Sequence, residues 1–262
     1  MKLPLPYSPR HIADLAELHQ AFAVDVVLIG AGALMGFIEF DHRITEDLDV
    51  VVSVGVAELG STLGGMTGWR QDPKQEQRWW SPRGLKYDIL PAGAGVLTSQ
   101  EIVWPSTKMV MRATGLDLAF RHREATPLAG IFIALPAAVC VLKMIAFQDR
   151  PYERKRDIGD IVAVMRSLST GEDDRLFEEP FVSAGLPFAA GSAFLLGRVI
   201  SNILTPETAP LVDSFVLQLE REGSAARTSF VREFGMLDEE EAEKRASGYW
   251  NALRLGLGAG KP

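Results

Sequence analysis

The chain has 262 residues, enough for one large domain or two modest ones with a proper core, and 47% hydrophobic with 23% charged residues is an ordinary globular composition. With 27 basic against 34 acidic residues the net charge is −7 and the pI near 5.2, which excludes a broad nucleic-acid-coating surface but leaves room for a local basic patch. The single cysteine, Cys140, excludes an intramolecular disulfide and a cysteine-rich metal site, and points to a reducing compartment.

In chain order, Pro9 to Phe22 carries apolar residues at helical spacing (Ile12, Leu15, Leu18, Phe22) and predicts a helix. Asp25 to Ile29 is a short β-branched strand that stops at Gly30, and Ala33 to Phe40 a short helix. Leu48 to Val54 is the next strand, followed by strand candidates at Trp79-Trp80 and Leu85 to Leu90. Ile131 to Ala134 is another strand, and Pro136 opens a helix to about Gln148 at its favoured first position. A helix over roughly Glu153 to Leu168 follows.

Thr170 to Asp174 is a polar breaker and sets the expected division, a domain over 1–170 and a helical one over 171–262. Past it the pattern is helical only: Ser192 to Leu204, Glu207 to Arg221 and Glu239 to Leu255. Asp238 and Glu241 have the spacing of a helix-start cap. The tail Gly256 to Gly260 reads as loose. Strands and helices alternate irregularly, so the expected class is α+β with a mixed β-sheet flanked by helices.

Neither end of this reading calls for a membrane. Met1 to Pro6 lacks the long apolar stretch of a signal peptide, and Ile131 to Phe147 is interrupted by Pro136 and Lys143 and is short for a span. A cytoplasmic location is expected.

The chemistry concentrates around residues 30 to 49. A strand ending in Gly30-Ala31-Gly32 and opening into a helix lets backbone N–H groups approach phosphate oxygens; a tight turn without a ligand explains it equally well. Asp47 and Asp49 are two apart at the entrance to a strand, so both carboxylates lie on one face, ~6–7 Å apart, with Leu48 on the other. Such a pair makes poor core and suits a divalent cation such as Mg²⁺ that carries a nucleotide's phosphates.

Asp88, flanked by Tyr87 and Ile89, is a third strand carboxylate that could complete a two-metal set or deprotonate an attacking hydroxyl; a solvent-facing strand residue is the plainer account. Lys143 is the only charged residue from Ile131 through Phe147, so it either snorkels to water or meets an anion in a cleft. Asp157 and Asp160 share a helix face, the alternative being a helix-start charge favoured by the dipole.

Together these segments resemble the DNA-polymerase-β-like nucleotidyltransferase superfamily, and within it the abortive-infection and toxin-type branch. The matching pieces are Leu28 to Leu34, Arg43-Ile44-Thr45-Glu46-Asp47-Leu48-Asp49-Val50, Tyr87 to Leu90, and Lys143 followed by Lys155 to Ile161. They cover roughly residues 20 to 170. The resemblance implies a nucleotidyltransferase fold and transfer of an NMP from an NTP, with release of pyrophosphate, to an RNA (tRNA among them), a protein or a small molecule. It implies a two-metal Mg²⁺ site at Asp47, Asp49 and Asp88. Gly30, Ala31, Gly32, Arg43, Thr45 and Lys143 would bind the nucleotide, with Asp157 or Asp160 helping to close the pocket. The toxin-type branch further implies a small antitoxin partner. Ala31 departs from the usual Gly-Ser or Gly-Gly, so a phosphate-touching hydroxyl is missing and only backbone N–H groups remain for that work.

Two alternatives stand beside this one. Gly30-x-Gly32-x-x-x-Gly36 after a strand, with an acid about 20 residues on, fits a Rossmann dinucleotide-binding unit, although Asp47 and Asp49 precede their strand instead of ending it. A non-catalytic member of the nucleotidyltransferase fold is the other. Trp79-Trp80 and the cluster Arg150, Arg154, Lys155 and Arg156 read more simply as packing and a solvated helix face than as base and RNA contacts.

Overall fold

The structure is a computed structural model and describes residues 8–38, 45, 47–167, 174–177, 180–235 and 238–259. The described chain forms two compact units, Met1–Val139 and Cys140–Pro262. The breaker at Thr170 to Asp173 lies outside the described residues. No described helix is long and apolar enough to cross a membrane.

Among the described residues, the first unit holds all the strands. Its elements are α1 (Pro9–Phe22), β1 (Val26–Ile29), α2 (Gly30–Leu34), β2 (Asp47–Val52), α3 (Val56–Gly65), β3 (Arg70–Gln71), β4 (Arg78–Trp80) and β5 (Lys86–Pro91). Then come α4 (Ala94–Ser99), β6 (Glu101–Val103), β7 (Val110–Arg112), α5 (Leu116–Arg121), β8 (Arg123–Ala125) and β9 (Ile131–Ala134). Seven strands make one mixed sheet in the order β3-β4-β5-β2-β1-β9-β8; β6 and β7 pair as a separate hairpin. β1 runs antiparallel to β2 and parallel to β9, and β2 runs parallel to β5. The class is therefore α+β with a mixed sheet, as the irregular alternation predicts.

β1 is buried on both faces, as expected of an unbroken Val26-Val27-Leu28-Ile29 run at the middle of a sheet. β2 and β5 differ: both start with alternating burial, the carboxylates of Asp47, Asp49 and Asp88 falling on the half-buried positions and Leu48, Tyr87 and Ile89 inside. Trp79 is core and Trp80, at 37% exposure, is at the surface of the same strand, so the two indoles face opposite ways. Asp14 on α1 is fully buried and is held by Arg83 Nη1 at 2.5 Å and by the Tyr87 hydroxyl, which donates to it at 3.2 Å, tying α1 to the β4–β5 turn.

Sequence patterning misses α3, α4, α5 and the strands β3 and β6 to β8, and it places the short helix at Ala33 to Phe40 where the structure has α2 at Gly30–Leu34. Each is short, and several owe their place to a tertiary tie. The β6–β7 turn hangs on Glu76, whose buried carboxylate accepts from the Ser106 and Thr107 backbone N–H groups and the Thr107 hydroxyl at 2.7–3.0 Å. Burial opposes its charge, but those hydrogen bonds outweigh it and pull the carboxyl from 4.5 down to about 2. A carboxyl lowered on folding stabilises above its unfolded value and loses that contribution as pH falls through the folded one. Glu76→Gln should thus melt below the parent at pH 7, and the gap should shrink steadily as the melts are repeated from about pH 5 toward 2.

The second unit is helical. α6 (Pro136–Asp149) carries the division between the units, and α7 (Lys155–Ser167), α8 (Gly191–Ile203), α9 (Ala209–Glu220), α10 (Ala225–Arg232) and α11 (Glu239–Ala259) follow, with 3₁₀ turns at Asp174–Phe177 and Phe188–Ala190. Asp238 caps α11 by accepting from the Glu241 N–H at 2.9 Å, as its spacing predicts. The tail is a correction: α11 runs on to Ala259 instead of ending near Leu255.

The cause is packing. Gly197 and Gly256 lie where α8 and α11 cross, and a Cβ on Gly256 would come 2.1 Å from the Phe194 carbonyl oxygen. Burial against α8 thus holds a glycine-rich turn that propensity alone would fray. Gly256→Ala should cost about 2–3 kcal/mol and roughly 5–10 °C in Tm, because the atom it strikes is backbone. Gly258→Ala meets nothing within 4 Å and should be neutral or gain up to about 1 kcal/mol. Calorimetry on the two variants separates close approach from helix propensity.

Candidate active site

The acidic cluster is built by sheet register. Asp49 of β2 sits directly across from Asp88 of β5, and Asp47 lies two residues back on the same face of β2. On its other side Asp49 is the partner of Ile29, the last residue before the Gly30 turn. Gly30 has φ +66°, and a Cβ there would lie 2.1 Å from Asp49 Oδ2. Only glycine both accepts that backbone conformation and leaves room for the carboxylate. Ala31 and Gly32 are buried within α2. Thr45 is half-buried just before β2; Arg43 lies outside the described residues.

The sequence reading missed the cations of this face. Arg78 of β4 is the cross-strand partner of Asp88. Its Nε and Nη2 donate to Asp88 Oδ1 and Oδ2, both at 2.8 Å, in a fork-on-fork pair, and Nη2 also lies 3.4 Å from Asp47 Oδ2. Lys86 Nζ stands 3.4 Å from the same Asp47 oxygen. The Asp88 hydrogen bonds, with the charges of Asp88 and Asp47, hold the Arg78 guanidinium above its ordinary pKa. One row thus crosses four strands: Arg78, Asp88, Asp49, Ile29. A signal for Arg78 did exist. Residues 78 and 88, 79 and 87, 80 and 86 are symmetric about the Pro82-Arg83-Gly84 turn, so a hairpin drawn there pairs Arg with Asp.

Asp47 and Asp49 present hard oxygen donors on one face, a chemistry that suits Mg²⁺. Asp88 does not complete a three-carboxylate set as the side chains stand, because both its oxygens are taken by Arg78. Among the described residues, no group of three or more His, Cys, Asp and Glu side chains could hold a metal ion.

Lys143, Asp157 and Asp160 come together in the second unit. Lys143 Nζ lies 2.7 Å from Asp157 Oδ1 and 2.7 Å from Asp160 Oδ2, and all three residues are buried. The anion that Lys143 meets is therefore this carboxylate pair, a partner that a buried ammonium requires. Burial alone would depress the Lys143 pKa; Asp157 and Asp160 outweigh it and hold the ammonium above its ordinary value. Cys140, one helical turn before Lys143, is buried and its thiol is pushed up to about 12, chiefly by burial, which removes it as a nucleophile. Arg154, Lys155 and Arg156 are exposed, as a solvated helix face should be. Lys143→Met should cost about 3–5 kcal/mol in urea unfolding, since it leaves two buried carboxylates facing each other.

No family model matches the chain, and no curated protein matches it. Solved structures similar to it include the following three. A candidate nucleotidyltransferase from Helicobacter pylori is 13% identical over 97% of both chains, with a TM-score of 0.39. An antigenic nucleotidyltransferase-like protein from Paracoccidioides brasiliensis is 15% identical over 83% of this chain and 91% of its own, at 0.42. JHP933 from Helicobacter pylori is 14% identical over 97% and 94%, at 0.39. Likeness at that level leaves the assignment of function to the chain's own residues.

Proposed function

We infer that the chain is a nucleotidyltransferase that moves an NMP from an NTP to an acceptor with Mg²⁺ as cofactor. The observation that carries this is the register of β2 and β5, which sets Asp49 beside Asp88 on the face that also bears Asp47. Two adjacent parallel strands presenting three carboxylates to one half-buried face make a costly arrangement for stability alone. Handling a phosphate-bound cation explains it. Gly30 belongs to the same account, since it clears the space that Asp49 occupies.

In this reading Asp47 and Asp49 hold the metal, whose chemistry is to neutralise charge on the α-phosphate. Asp88, once its oxygens are released, can accept a proton from the attacking acceptor hydroxyl. The Rossmann alternative loses ground: β1 and β2 are antiparallel, whereas a dinucleotide unit needs them parallel through a crossover helix. A toxin-type role with a small antitoxin partner belongs to the same proposal; it rests on the motif around Thr45, Asp47 and Asp49.

The test is transfer of α-labelled NTPs to tRNA and to total protein, with and without Mg²⁺. Label should pass only with the metal, and Asp49→Asn or Asp47→Asn should lower the rate at least about 10²-fold. Transfer undiminished in Asp47→Asn overturns the reading.

A further inference from the structure

The clearest disagreement between the acidic face and the function drawn from it is Arg78. Its guanidinium grips both oxygens of Asp88 at 2.8 Å and reaches Asp47 at 3.4 Å, so it already supplies the positive charge that the carboxylates need. Among the described residues, three carboxylates against Arg78 and Lys86 leave a formal charge of −1 on this face, where the acids alone would carry −3 (−3 + 2 = −1). A divalent ion arriving at Asp47 and Asp49 would meet a site mostly neutralised, with a cation beside it. It would also find the third carboxylate occupied. Cations competing for one set of anions exclude one another, and the coupling is reciprocal.

We propose that Arg78 is a resident counter-cation that latches the acidic face shut to divalent metal, and that metal binding requires the Arg78–Asp88 fork to open. The latch is a property of the sheet and not a chance surface contact. Arg78 and Asp88 are cross-strand partners in the β4–β5 hairpin, and that hairpin is closed by the Ser81 N–H donating to Leu85 at 2.8 Å and anchored by Arg83 on Asp14. The guanidinium is thus delivered in register and needs little further ordering to grip its partner. Opening it frees a fork of five N–H donors next to the metal, matched in shape to a phosphate. The ligand that opens the latch is therefore a metal together with phosphate oxygens more readily than the bare ion. The proposal rests on the nucleotidyltransferase reading for the identity of that ligand alone.

The experiment is a titration of the full chain with Mn²⁺ alone, counting free ion by its EPR signal, on the parent, Arg78→Gln and Arg78→Lys. Arg78→Gln is expected to bind Mn²⁺ roughly ten-fold more tightly than the parent, and Arg78→Lys, which keeps the charge but loses the planar fork, to fall between them. Without metal, Arg78→Gln should melt lower than the parent, and Mn²⁺ should recover more of its Tm than it adds to the parent. Affinity unchanged or weakened in Arg78→Gln overturns the latch. If that variant does not fold, Arg78→Lys decides alone, and affinity equal to the parent's overturns it. Asp49→Asn on each background locates the ion: a dissociation constant indifferent to Asp49 puts the metal elsewhere and defeats the latch and the metal site together. Tighter Mn²⁺ binding in Arg78→Gln with no NMP transfer by the parent would uphold the latch and defeat the transferase reading alone.

Discussion

Carboxylates in register on neighbouring strands repel each other, and partial burial strengthens that repulsion by removing water. Asp49 and Asp88 are such a pair, with Asp47 two residues away. Three neighbouring residues help to keep them there. Gly30 gives up its side chain so that Asp49 has space, Lys86 and Arg78 lend charge to Asp47, and Arg78 takes hold of Asp88 with both ends of its fork. The hydrophobic face of the same strands does the opposite work. Leu48, Tyr87 and Ile89 are buried, and they pin the register that forces the acids together.

The second unit solves a related problem by different means. Lys143, Asp157 and Asp160 are all removed from water, and none would be tolerable without the others. One ammonium lies between two carboxylates, and the Arg154 guanidinium approaches Asp157 Oδ2 at 3.8 Å from the surface side. Such a group is expensive compared with apolar packing of similar volume, which gives it more the character of a specificity or functional device than of a stabiliser. The same three residues contribute to the motif resemblance, and in the folded unit Lys143 is held by the two carboxylates of that motif.

Much of the fold is legible in the sequence where periodicity is long or punctuation is strong. Pro9 to Phe22 and Ile131 to Ala134 come out with their bounds intact, since a proline start or a strictly apolar run leaves few alternatives. What escapes is short or held from a distance: α3 with its run of small residues, the β6–β7 hairpin that depends on Glu76, and the last turn of α11, which exists because two glycines let helices touch. The acids of the candidate site follow from a period of two and a motif. Their neighbour Arg78 does not, because its meaning lies in a pairing ten residues away, and only a hairpin drawn through Pro82 to Gly84 would have revealed it. Lys143 shows the reverse error of emphasis: an isolated charge in an apolar run announces that a partner exists without saying which.

The sheet's two margins are unlike its centre. β3 is two residues long and β8 three, and both carry charged side chains, Arg70 at one margin and Arg123 and Glu124 at the other. Another strand would find few open backbone groups to pair with and would have to desolvate charge to reach them. A sheet whose middle is as apolar as β1, if finished with long flat borders, would invite its own copies to add on. Clipped borders let the chain keep a sticky interior without becoming a template for aggregation.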